Sequence, residues 1–124
     1  MIDNKNKLIK VNVLIAQGDN ELKRARDEIS SGNFGKVRVL ARRAAGFYLT
    51  ALNEMFPELR LGSNFIAQIR KISLLKDLGE TVKKACDDLS VRISEKEIDA
   101  SASITNAAII MNYVREELKL ENKN

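Results

Sequence analysis

The sequence predicts an all-α protein, an antiparallel up-and-down bundle of four to five helices. Three observations carry this. Apolar residues recur at alternating spacings of three and four through the first segment, Leu8, Val11, Ile15, Gly18, Leu22, Ala25 and Ile29, which is one stripe on a helix. One proline and six glycines in 124 residues leave few breakers, which favours long helices over a many-turned β fold. The breakers that exist fall between periodic segments, so the connections are short and sequential helices run antiparallel.

The first helix is expected over about 4–31. A rival assignment makes the β-rich stretch LIKVNVLIA a strand over 8–16 and starts a helix at Asp19. The stripe passes unbroken through Gly18, which decides for one helix with Gly18 at a close approach. Gly32 suits the left-handed position that ends it, and Asn33 can cap the next helix. That second helix runs from about 34 to 56 and stops before Pro57, which disfavours helical geometry in its predecessor. Ser63 or Asn64 caps a third helix carrying Phe65, Ile66, Ile69, Ile72 and Leu75, with a break at Asp77 to Gly79. A fourth, about 80–93, carries Val82, Ala85, Cys86, Leu89 and Ile93. Ser94 opens a capping box, SEKE, with Glu97 three residues on. The last helix, about 95–119, has Ala100, Ile104, Ala107, Met111, Val114 and Leu118 on one side and Ile98, Ala102, Ile109 and Tyr113 on the other. It is therefore expected to be central. The tail over about 120–124 frays.

Length and composition make this one domain, residues 1–124, large enough to bury a core without metals or disulfides. Aromatic residues are 5% of the chain and tryptophan is absent, so the core is aliphatic. No apolar run approaches the ~18 residues of a membrane span, and MIDNKNK leads into no signal-like segment; the expected location is cytoplasmic. Cys86 is the only cysteine and histidine is absent. That excludes an internal disulfide, histidine acid–base catalysis and histidine metal ligation.

The net charge of +4 sits in the first half: residues 1–62 hold eleven Lys and Arg against seven Asp and Glu, and residues 63–124 hold ten of each. No acid occurs between Glu28 and Glu54, where Lys36, Arg38, Arg42 and Arg43 fall. At about 100° per residue, Val37, Leu40, Ala41, Ala44, Phe47, Tyr48, Ala51, Leu52 and Met55 form the core face of the second helix. Opposite lies a thinner seam of Val39, Gly46, Leu49 and Asn53, with Arg38 and Arg42 on one flank and Lys36 and Arg43 on the other. Cations bordering an apolar seam resemble the charges that border a coiled-coil contact. Three occupants fit the seam: a symmetric copy of the same helix, the 63–77 segment, or a partner protein. A polyanion groove along the same cations is the alternative.

The run RARDEISSGNFGKVRVLARRAAGFYLTAL, with a further helical pair and the closing DASASITNAAIIMNYVREEL, resembles the HEPN superfamily (higher eukaryotes and prokaryotes nucleotide-binding) over residues 8–119. The resemblance implies a compact bundle, usually homodimeric, and in active members a metal-independent endoribonuclease. That activity depends on an Arg closely followed by a His near the start of the last long helix. Here that helix begins SEKEIDASASITNA, with neither in place, so no catalytic residue is carried over. What the resemblance implies is the fold, a dimer, and a non-catalytic nucleotide or RNA role.

Other chemistry-bearing residues have plain structural readings. Cys86 lies on an apolar stripe with no base to activate it. Asp87 and Asp88 diverge by about 100° on a helix and do not converge on a metal. Glu95, Glu97 and Asp99 complement a helix dipole. GNFGK lacks the GxxxxGK[ST] spacing and follows a helix rather than a strand. No metal or cofactor is expected. The expected function is a non-catalytic, HEPN-like homodimeric or partner-binding module. The alternative is weak, sequence-tolerant RNA or nucleotide binding through Lys36, Arg38, Arg42 and Arg43.

Overall fold

A computed structural model of the protein describes residues 2–91 and 97–119, with the side chains of 5–91 and 100–119. The described residues form five α-helices: α1 (Ile2–Ile29), α2 (Phe34–Met55), α3 (Phe65–Ile72), α4 (Glu80–Ser90) and α5 (Glu97–Glu117). A 3₁₀ turn, Pro57–Leu59, follows α2. The expected capping box at Ser94, the side chains of Ile93, Glu95, Glu97, Ile98 and Asp99, and the tail 120–124 lie outside the described residues.

The boundaries follow local chemistry. Gly32 adopts φ 76° and its amide donates to the Ile29 carbonyl, ending α1. Asn33 then accepts from the Lys36 amide at 3.2 Å and caps α2. Of the two expected caps for α3, Asn64 serves, accepting from the Ala67 amide at 2.9 Å. The stretch 8–16 is helical throughout.

Lys10 pairs with Glu54 and Lys36 with Glu28, which fixes α1 and α2 as an antiparallel hairpin. A Cβ on Gly18 would lie 2.6 Å from Tyr48 Cδ1 and 2.9 Å from the Ala44 carbonyl oxygen. Only a residue without a side chain lets the helices approach so closely at that point. One apolar cluster draws on all five helices, from Val11 and Ile15 through Leu52, Ile69 and Leu89 to Ile110 and Val114. A smaller one joins Ala25, Val37, Leu40 and Ala100 at one end. Arg115 meanwhile reaches Asp19, so α5 runs opposite to α1.

Two expectations need correction. Leu8, on the predicted stripe, is 53% exposed, because Lys10 already pairs with the penultimate residue of α2 and α1 overruns its neighbour from there. The central element is α2 rather than α5. Its neighbours are α1, α5 and α3, whereas α5 packs mainly on α2 and α4. The second apolar side of α5 is correspondingly open: Ile109 and Tyr113 are half-buried and Ala102 is exposed.

Cys86 is a free, buried thiol within the main cluster. Burial, helped by the charge of Asp87, pushes it from its ordinary 9.0 up to about 12. Native Cys86 should therefore resist iodoacetamide at pH 8 and react promptly once unfolded in urea, as read by mass spectrometry; rapid native alkylation would contradict its burial. The linkage has a definite sign. The unfolded thiol ionises from pH 9 while the folded one holds its proton to about 12, so the fold is favoured below 9 and loses stability across that interval. Tyr48 and Tyr113, both raised chiefly by burial, act in the same direction.

Candidate functional site

The structure separates the residues of the predicted seam. Gly46 lies beneath Phe65, the first residue of α3: a Cβ on Gly46 would stand 2.1 Å from Phe65 Cδ1. Leu49 is fully buried, a gain of roughly 2 kcal/mol for a side chain of its size. Asn53 Oδ1 accepts from the Leu61 amide at 3.0 Å. Beside them, the fully buried Gln68 donates through Nε2 to Thr50 Oγ1 and to the Gly62 carbonyl. The chain's own 61–72 segment thus fills this stretch of the seam. Val39 does not share that cover and is 52% exposed.

The four cations are likewise divided. Arg38, expected on a flank, is buried, and its Nη1 has no hydrogen-bond partner among the described residues. Arg42 reaches α4: Nε donates to the Leu89 carbonyl at 2.8 Å and Nη2 to the Val91 carbonyl at 2.6 Å. Arg43 pairs with Glu21 at 3.2 Å and lies over the Phe47 ring. Lys36 pairs with Glu28 at 3.4 Å. Phe47, assigned to the core from its place on the helix, is half-buried and meets Phe65 edge-on, with centroids 5.2 Å apart.

Where Val39 emerges, an open groove of about 280 Å³ runs between α2 and the start of α3, lined by Val39, Arg42, Arg43, Asn64, Phe65 and Ile66. Its floor is apolar and its α2 rim is cationic. It brings together the exposed seam residue and two of the four predicted cations; Lys36 and Arg38 do not line it. An apolar floor with a charged rim suits a side chain of another protein better than a small reactive substrate.

Sequence reasoning missed a polar cluster on the far side of α2. The Tyr48 hydroxyl donates to Asp19 Oδ1, and Arg115 Nη2 donates to both Asp19 oxygens at 3.1–3.2 Å while its guanidinium lies 5.2 Å from the Tyr48 ring centroid. Burial first, and the Asp19 carboxylate second, raise the Tyr48 phenol and keep it a donor. Tyr48 is fully buried and Arg115 largely so, while the Asp19 carboxylate that holds both is exposed; the cluster joins three helices. Glu21, buried between Arg24 and Arg43, is a second such joint. The available signal was the position of Asp19 and Arg115 beside the stripe residues Gly18 and Val114. Among the described residues no group of three or more metal-ligating side chains converges, and no helix is long and apolar enough to cross a membrane.

No protein-family model matches the chain, and no curated protein does. Among solved structures, the chain is similar to the crystal structure of an archaeal HEPN homologue. The TM-score is 0.73 over 88% of this chain and 98% of that one, with 18% sequence identity. At that identity the likeness is one of architecture, and it agrees with the resemblance carried by residues 8–119. The protein has a HEPN-like helical fold.

Proposed function

We propose that this HEPN-like bundle is a non-catalytic cytoplasmic module that works by protein–protein contact, as a homodimer or against a partner chain, through the exposed Val39 end of the α2 seam. The observation that carries this reading is the state of Val39. It stands half-exposed beside an apolar groove, while Gly46, Leu49 and Asn53 of the same seam are already occupied. The alternative, RNA or nucleotide binding through Lys36, Arg38, Arg42 and Arg43, has less support. Arg42 donates to backbone carbonyls, Arg43 and Lys36 face carboxylates, and Arg38 is buried. Binding of that kind would weaken steeply as salt rises.

Light scattering on wild type and Val39→Glu tests the reading. Val39 is exposed, so the substitution leaves the fold intact, as circular dichroism checks. A wild-type dimer that becomes a folded monomer makes the seam a self-association surface. A folded monomer in both makes the partner a different chain. A dimer that survives Val39→Glu places the contact elsewhere and overturns the assignment.

A further inference from the structure

The groove at Val39 does not end at Ile66. A second depression, of about 600 Å³, continues along α3 and shares Asn64 and Ile66 with the first; it adds Ala67, Arg70, Lys71 and Ser90. Among the described residues lining the two, four are cations and none is a carboxylate. The nearest acids on α4 precede Ser90, and Asp88 there already pairs with Lys84. Lys71 donates to the neutral Arg60 carbonyl, which leaves its charge uncancelled. Glu21 stands between Arg24 and Arg43, so that trio keeps a net positive charge. The floor between these cations is aliphatic: Val39, Ile66 and Ala67.

We infer that this continuous groove takes an acidic segment of another protein, with apolar side chains over Val39 and Ile66 and carboxylates facing Arg43, Arg70 and Lys71. The inference rests on reading the α2–α3 face as a protein-docking surface, and it names the chemistry of the occupant. Charge complementarity selects that occupant. A second copy placed symmetrically would need a self-complementary patch, whereas this one would set its rim cations against their own copies. RNA would gain the phosphate contacts but little from the floor, because aliphatic side chains give bases no stacking face and the Phe65 ring is spent against Gly46 and Phe47.

The test is a random peptide library displayed on phage and panned against the full chain. Amide shifts of Val39, Ile66 and Arg70 in the isotopically labelled protein then locate the site. The expected result is enrichment of peptides with Asp or Glu beside Leu, Ile or Phe, bound in the groove. Arg70→Glu, at an exposed position that leaves packing alone, should weaken them about tenfold or more, near 1.4 kcal/mol. Ile66→Glu should weaken them as well. Peptides that map to the groove without acidic bias, or that ignore Arg70→Glu, overturn the acidic occupant and leave the docking reading standing. An oligouridine that shifts the groove amides while no peptide does overturns both.

Discussion

Gly46→Ala should destabilise the protein by about 2–3 kcal/mol, although alanine is the better helix former. In an exposed helix interior the exchange would gain ~1 kcal/mol. Here the new methyl would stand 2.1 Å from Phe65 Cδ1, 2.3 Å from Cγ and 2.7 Å from Cβ. Turning the ring about χ1 relieves the first two contacts but not the third, so α3 itself must move or Phe65 must leave. Losing the burial of such a side chain costs about 2 kcal/mol or more, and overpacking costs of this kind run to ~3 kcal/mol. Urea denaturation at unchanged m-value measures the difference. The same substitution in a Phe65→Gly background, which removes the Cβ along with the ring, should cost under about 1 kcal/mol, since the two residues are in contact and their effects are not additive. A neutral or stabilising Gly46→Ala in the wild-type background would mean that Phe65 does not sit on α2.

Arg42→Ala should cost about 2 kcal/mol and loosen the end of α4. The last carbonyls of a helix have no partner within it. Arg42 supplies two donors to the Leu89 and Val91 carbonyls from a different helix, and its charge opposes the negative end of the α4 dipole. Hydrogen bonds from charged groups contribute ~1.5–3 kcal/mol, and water replaces part of the more exposed one. Arg42→Lys should recover less than half, because an ammonium group lacks the planar fork that spans two carbonyls. Hydrogen exchange at Cys86 to Ser90 reports the effect; unchanged protection there would remove Arg42 from the role of cap.

Most of the fold was legible because its signals are local. The α1 stripe, the left-handed Gly32, the Asn33 and Asn64 caps and the stop before Pro57 are each set by a few neighbouring residues. A helical wheel reports which faces are apolar; it does not report what covers them. The 63–77 segment could be counted among the occupants of the seam but not selected, since Phe65 meets Gly46 only once the intervening loop has turned back. Arg42 was placed beside the seam by the wheel, but its acceptors could not be read, because they lie 47 and 49 residues away. The Asp19–Arg115 pair spans 96 residues, and its place beside two stripe residues does not say that the two meet. Periodicity also made α5 look more central than it is, since a stripe of Ile and Ala on a half-open face reads the same as one on a closed face.

The crowding around α2 bears on how this protein can change over evolutionary time. Its exposed positions are Gly35, Lys36, Val39 and Arg43, all in its first half. Elsewhere along the helix a new side chain meets α1, α3 or α5, and a mutation there is filtered by stability before any effect on binding is felt. Drift in the contacts this helix offers to other molecules is thereby channelled to its first half, where Val39 and Arg43 line the groove with Phe65 and Ile66. Lineages of this fold can diverge in what they recognise there while the rest of the helix stays nearly fixed.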